Sequence, residues 1–296
     1  MGETGTSVAQ SSGYAPDAAR TGKTLPCTIC STESGCETGF ADIRLFRCPA
    51  CSHCFTDLAS LQVPEQYGTE YFDEIHKNWN EHPDVGLFER VYRIITERRA
   101  NASVLDVGCG KGNLLRYLRN RDSRLSLTGI DIAPSVSKDG IEFLRGDFLT
   151  WKFDSKFDAI VSLQVIEHVT DPRVFTKRIV ELIAEGGLVI SNTINEQSVL
   201  YDVARLARRL GSRQAYERLY SRHHLNHFNR ASLPRLMEVS GLKTIAHFQH
   251  RGPIAAMDIP APNKWLEAVL RAGVWGAYVL GDVTGRSTYQ TLVCHR

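Results

Sequence analysis

Three carboxylates stand where a nucleoside could be held. Asp106 lies in Val104-Leu105-Asp106-Val107-Gly108-Cys109-Gly110-Lys111-Gly112, a short apolar run that enters a turn of alternating glycines. Glycine has no Cβ and tolerates positive φ, so such a turn bends sharply and lets a ligand approach its backbone. The helix expected to open at Asn113-Leu114-Leu115 would aim its first N–H groups into that turn. Asp131 ends a second apolar run twenty-five residues later. A carboxylate at that point can accept both hydroxyls of a ribose. Asp147-Phe148 follows a third run, where an acid can take an exocyclic amine and the aromatic can cover a purine ring. Each aspartate alone has an ordinary use as a turn or helix cap. Three at successive run ends point to a nucleoside.

A second group of residues suits a metal. Cys27-x-x-Cys30 and Cys48-x-x-Cys51 are separated by seventeen residues. Two such knuckles aim four thiolates at one point, the pattern of a tetrahedral zinc ribbon. Four thiolates leave no open coordination position, so the expected zinc is structural, holding together a segment too short to build a core. Cys36, His53 and Cys54 are surplus, and the spacing leaves Cys54 as an alternative to Cys51.

The elements that must position these groups alternate strand and helix. Strands are expected at Val104–Val107, Leu125–Ile130, Ile141–Arg145, Phe157–Leu163 and Leu188–Ser191. The helix from Pro172 to Ala184 has Asp171 as N-cap and Pro172 at its first position, with Gly186-Gly187 closing it. This order predicts an α/β fold around a parallel sheet with helices on both faces. Residues 1–24 are expected to be a disordered tail, 25–56 the ribbon, 57–102 a linker and helical lid, and 103–296 the main domain. Residues 196–230 are expected to be an insertion on the substrate side, with its six arginines on a solvated helical face.

Composition excludes some classes. A net charge of +2 and 23% charged residues give no reason for an obligatory polyanionic partner. No uncharged run approaches the ~20 residues of a membrane span. The N-terminus has no basic stretch ahead of an apolar run, so no secretory signal is expected. The expected compartment is the cytoplasm, where thiols stay reduced.

The chain resembles the class I S-adenosylmethionine-dependent methyltransferases. The resemblance is carried by Val-Leu-Asp106-Val-Gly108-Cys-Gly110-Lys-Gly112, Gly129-Ile-Asp131, Gly146-Asp147-Phe148, Phe157-Asp158-Ala-Ile, Val165-Ile166-Glu167-His168-Val169 and Gly186-Gly187-Leu-Val-Ile. It covers about Ser103 to Arg296. A ribbon ahead of this domain, and the Tyr67/Tyr71-Phe72 segment, are similar to a bacterial subgroup that methylates small molecules. The resemblance implies a Rossmann-like, seven-stranded mixed sheet whose final hairpin is antiparallel, supplied here by Leu242–His250 and Ser287–His295. It implies that Asp106, Gly108 and Gly110 border the amino-acid end of the cofactor. Asp131 would hold its ribose and Asp147-Phe148 its adenine, with Ile132 also in the cofactor-binding set. Leu163 completes the cofactor set.

Methyl transfer from a sulfonium is an in-line displacement, which needs alignment and exclusion of water. A general base helps when the acceptor is a hydroxyl or an acidic carbon. The candidates are His168, His224 and Tyr71; the resemblance sets His224 facing the substrate cleft. The Asn/Asp-Pro-Pro-Tyr sequence of amino-methylating enzymes is replaced by Ser162-Leu163-Gln164-Val165, which favours O- or C-methylation of a small molecule such as a sugar, quinone or secondary metabolite. S-adenosylhomocysteine would be the product. Two alternatives stand beside this: an RNA- or protein-directed methyltransferase that grips its target with the ribbon, and a non-catalytic module. Only Lys23, Arg44 and Arg47 add positive charge near the ribbon, which disfavours nucleic acid. A dehydrogenase is disfavoured because the turn is Gly-x-Gly-x-Gly, without the wider spacing of that fingerprint.

Overall fold

The computed structural model describes residues 22–61, 81–132, 139–257, 259 and 261–296. The expectations for the tail up to residue 21, and for Tyr67, Tyr71 and Phe72, lie outside the described residues.

The first strands are β1 (Thr24–Pro26), β2 (Glu33–Phe40), β3 (Ile43–Arg47) and β4 (Cys54–Thr56), joined in an antiparallel ladder. Strand β1 thus reaches into the stretch expected to be tail. Helix α1 (Val85–Arg98) is capped by Asp84, whose Oδ1 accepts the Leu87 N–H at 2.9 Å. Its apolar stripe, Leu87, Phe88, Val91 and Ile95, is buried against Val104, Leu114 and Leu115. The helix is therefore a layer of the main core, as the i, i+3, i+4 stripe of a helix packed on the main domain requires.

The main sheet follows: β5 (Ser103–Val107), α2 (Asn113–Arg121), β6 (Ser126–Asp131), β7 (Ile141–Arg145), β8 (Phe157–Leu163), α3 (Pro172–Leu182) and β9 (Ile183–Ile194). Strands β5 to β9 pair in parallel. Val104, Leu105, Ile160 and Val161 are fully enclosed, as strands covered on both faces require. Asp171 caps α3 by accepting the N–H groups of Arg173 and Val174. Gly186-Gly187 does not close that helix. The helix ends at Leu182, because Ile183 is already extended and pairs with Phe157. Gly186, at φ 70°, instead sits in the register shift between the Phe157 and Ala159 pairings.

The chain then forms α4 (Val199–Arg209), α5 (Gln214–Leu219), β10 (Asn226–His227), α6 (Ser232–Val239), β11 (Lys243–His250), α7 (Lys264–Thr284) and β12 (Tyr289–His295). The last two strands complete the main sheet in the order β11-β12-β9-β8-β5-β6-β7, and β12 runs antiparallel to both neighbours. Among the described residues this is the expected seven-stranded mixed sheet.

Strand pairing crosses the module boundary expected from sequence. Strand β10, within the insertion, adds to the ribbon sheet beside β4, with Asn226 opposite Phe55 and His227 opposite Cys54. Tyr201, Tyr216 and Tyr220 of the insertion pack on Ile43, Leu45 and Cys54 of the ribbon. Its arginines are not a uniformly solvated face. Buried Glu196 accepts from Arg47 of the ribbon, from Arg205 at 2.8 Å, and from the Tyr220 hydroxyl at 2.5 Å. Arg222 pairs with Asp42 at 3.2 Å. Arg208 stacks 4.3 Å from the Tyr216 ring centroid and donates to Thr38 Oγ1 at 3.1 Å. Arg208→Ala is expected to cost about 1–2 kcal/mol and lower the thermal midpoint by a few degrees. Arg209→Ala, at an exposed neighbour, should leave it unchanged; a denaturation scan of both variants checks this.

Candidate active site

The glycine turn leaves β5 at the carboxyl edge of the sheet. Gly108 has φ 71°, and a Cβ there would lie 2.4 Å from Val165 Cγ2. At Gly112, with φ 75°, a Cβ would lie 2.4 Å from the Phe143 ring. Both positions exclude a side chain. The N–H groups of Gly108, Cys109 and Gly110 are spent inside the protein. Gly108 and Cys109 donate to the Ile130 carbonyl at 2.8 and 3.2 Å, and Gly110 donates to Asp131 Oδ2 at 2.8 Å. These three bonds tie the turn to the end of β6. What it offers is clearance and a fixed path.

Asp106 is buried beneath this turn. Burial, reinforced by the nearby Asp131, pushes its carboxyl up to about 8. Asp147 Oδ1 accepts the Leu149 N–H at 3.0 Å, which fixes the loop after β7. Phe148 packs against Phe175, with ring centroids 5.4 Å apart.

Facing these loops, His168 Nδ1 lies 2.8 Å from the His223 carbonyl and His224 Nδ1 lies 3.1 Å from the Leu219 carbonyl. A carbonyl only accepts, so each Nδ1 carries hydrogen and each Nε2 carries the lone pair of the neutral ring. The two ring centroids are 5.0 Å apart. Residues around His224 are held from two sides. Thr56 of β4 donates its N–H to the Leu225 carbonyl at 2.9 Å. The Glu167 carbonyl accepts from the N–H groups of Leu225 and Asn226. The Glu167 side chain is buried, with Oε2 accepting from Thr193 Oγ1 at 2.9 Å, and burial raises its carboxyl to about 7.

A cavity of about 1110 Å³ runs between these walls. It is lined by Asp106, Gly108, Gly110, Asp131, Ile132, Asp147, Phe148 and Leu163, and also by His168 and His224. The structure thus brings together every predicted site residue of the main domain; Tyr71 lies outside the described residues. Sequence reasoning missed Gln164, Met257 and Tyr289, which also line the cavity. Gln164 carried a signal that is legible only in the structure, a left-handed φ of 58° directly after β8. Its Nε2 donates to Asn192 Oδ1 at 2.6 Å.

The four predicted thiols converge at a separate point. The Sγ atoms of Cys27, Cys30, Cys48 and Cys51 all lie within 4.8 Å of one another. Cys27–Cys51 and Cys30–Cys48 are 3.6 and 3.4 Å apart. Metal–sulfur bonds of about 2.3 Å in a tetrahedron require sulfur separations of about 3.8 Å, so the donor set fits a four-coordinate thiophilic ion. The two knuckles repeat one turn: Ser31 and Ser52 are left-handed, and their N–H groups donate to the carbonyls of Cys27 and Cys48 at 3.0 Å. Cys54 stands apart, in the apolar contact with Tyr201 and Tyr216, which resolves the choice in favour of Cys51.

Comparison with known proteins agrees with this geometry. A family model described as a methyltransferase domain matches residues 69–247. The ubiquinone biosynthesis O-methyltransferase of Rickettsia canadensis is 28% identical over 152 residues, 45% of this chain and 64% of that protein. The Bradyrhizobium diazoefficiens protein of the same name is 33% identical over 104 residues, 31% of this chain and 40% of that protein. The chain thus spans less than two thirds of the length of these curated relatives. Among solved structures, a complex of the Haloferax volcanii Trm112 methyltransferase activator with a methyltransferase shares the fold. The TM-score is 0.51 at 17% identity, covering 79% of this chain and 99% of that one. The chain belongs to the class I S-adenosylmethionine-dependent methyltransferases.

Proposed function

We propose that the protein transfers a methyl group from S-adenosylmethionine to an oxygen or carbon of a small molecule, and that a structural zinc ion occupies the four-thiolate site. The observation that carries the first reading is the single cavity that joins the cofactor loops to the His168–His224 wall. Its volume exceeds what one small ligand needs, and suits a cofactor and an acceptor together. The ubiquinone enzymes among the relatives give the reading a small-molecule precedent.

Asp131 accepts the ribose hydroxyls through carboxylate lone pairs beyond the one that holds Gly110. Asp147 and Phe148 take the adenine, with Ile132 and Leu163 as apolar walls. Asp106 faces the cationic amino-acid end of the cofactor. When bound, the cofactor supplies the electrophilic methyl group. The insertion, backed by the ribbon through β10 and the Tyr201–Tyr216–Tyr220 contact, encloses the acceptor and excludes water. His224 takes the acceptor proton at Nε2, with its Nδ1–H fixed on the Leu219 carbonyl. His168 flanks it. His224→Ala is expected to lower turnover about a hundredfold and leave cofactor affinity unchanged. Equal turnover at saturating acceptor would remove His224 from the reaction.

The identifying experiment incubates the protein with methyl-labelled cofactor and a fractionated cell extract. Label in a small molecule supports the reading. Label only in RNA or protein, or none with any fraction, overturns it.

A further inference from the structure

A second cavity, of about 540 Å³, opens between the N-terminus of α1, β11 and the end of α7. Three guanidinium groups reach it from different parts of the chain: Arg90 on α1, Arg230 after β10 and Arg251 after β11. His247 and His250 complete its basic lining. Its acids are already engaged. Asp84 caps α1 and lies 3.5 Å from His250 Nδ1. Asp282 accepts from Ser287 Oγ at 2.7 Å and sits 3.5 Å from Arg251. Arg90 lies over the Phe248 ring, 4.6 Å from its centroid. Among the described residues no carboxylate pairs with Arg90 or Arg230. The N-terminus of α1 adds its positive end, since Asp84, Gly86 and Leu87 all line the space.

This cavity adjoins the first. Leu87 and Ser287 line one while Phe88, Thr288 and Tyr289 line the other. Asn192 spans the wall: its Oδ1 accepts from Gln164, and its Nδ2 donates to His250 Nε2 at 3.0 Å.

We propose that this second cavity binds a phosphoryl oxyanion, with Arg230 and Arg251 as its principal donors and Arg90 closing from α1. Planar guanidinium forks match the oxygens of a phosphoryl group, and a mixed set of arginines around a polar hollow has no need of a base or metal to do so. The volume leaves room for the rest of a phosphorylated small molecule. The phosphoryl group is carried either by the acceptor or by a separate effector; the acceptor arm rests on the function proposed above, whereas the binding claim does not.

The test is a calorimetric titration of inorganic pyrophosphate into the full chain at constant ionic strength. Sub-millimolar binding is expected, additive with S-adenosylmethionine. Arg230→Ser/Arg251→Ser should weaken it at least about tenfold with cofactor affinity unchanged. Arg230→Lys keeps the charge without the fork, and is expected to weaken it severalfold even if the double variant folds poorly. Pyrophosphate binding no tighter than chloride, affinity unchanged in Arg230→Lys, or competition with the cofactor overturns the proposal. Phosphatase treatment of the extract separates the sources. Loss of label transfer assigns the phosphoryl group to the acceptor. Retained transfer whose rate pyrophosphate alters assigns it to an effector. Absence of transfer from any extract counts against the proposed reaction and leaves the pyrophosphate result standing.

Discussion

Removing the metal, with a chelator or by Cys48→Ser, is expected to unfold the ribbon and release the acceptor wall while the cofactor loops persist. Structural zinc sites supply on the order of 10–16 kcal/mol of apparent binding free energy, which in such a small segment is folding free energy. The effect does not stop at β1–β4. Strand β10 loses its only partner among the described residues, β4, and Thr56 no longer holds the Leu225 carbonyl beside His224. By contrast, Asp106, Asp131 and Asp147 stand on or beside strands of the main sheet. Hydrogen exchange in the metal-free protein should therefore accelerate across residues 24–56 and 223–228, with cofactor affinity falling less than about tenfold. Metal content should drop from one zinc per chain to none. Unchanged exchange at 223–228 after complete metal loss would show that the ribbon does not support the acceptor wall.

Asp106→Asn is expected to move stability and cofactor affinity in opposite directions. Folding raises the Asp106 carboxyl from its ordinary 3.8 to about 8, through burial first and Asp131 second. The folded chain then holds a proton that the unfolded chain has released. This group's contribution is fully present below about pH 4 and is lost as pH rises through 8. A shift of that size corresponds to roughly 6 kcal/mol at the alkaline end, taken as an upper bound. Glu167, raised from 4.5 to about 7 by burial, acts in the same direction over a lower window. The asparagine variant should thus be more stable than the parent at pH 8.5 and equal to it near pH 4. It should also bind the cationic cofactor more weakly at pH 8.5, having no carboxylate to offer. In the parent, cofactor binding near pH 7 should release protons, seen as a dependence of binding heat on buffer ionisation enthalpy. A variant less stable than the parent at pH 8.5 would contradict this assignment.

How much of this was legible in the sequence differs by element. Strands β7 and β8 coincide with the runs expected at Ile141–Arg145 and Phe157–Leu163, because each is flanked by turn-forming polar residues; β8 is buried along most of its length, and β7, at the sheet edge, buries Ile141 and Phe143. The start of α3 was fixed by Asp171-Pro172, whose capping role is local. The convergence of Asp106, Asp131 and Asp147 on one cavity was legible for the same reason: these carboxylates occupy strand ends, and strand ends are set by local pattern. What depended on distant pairing was not. Strand β10 is two polar residues long and has no periodicity to detect; its partner lies about 170 residues earlier in the chain. The partners of Arg208 and Arg222 sit on the ribbon for the same reason. Tyr289 reaches the cavity because the sheet order places β12 beside β9, and Met257 comes to it from the loop after β11.

Asp131 at the carboxyl edge of the sheet is the residue on which S-adenosylmethionine binding is expected to depend most. Calorimetric titration of the cofactor into the parent protein and into Asp131→Ala tests this directly. One site per chain with micromolar affinity is expected in the parent, weakened on the order of a hundredfold in the variant as charge-assisted bonds to the ribose are lost. Equal affinity in the two proteins, or no binding to the parent, would contradict it.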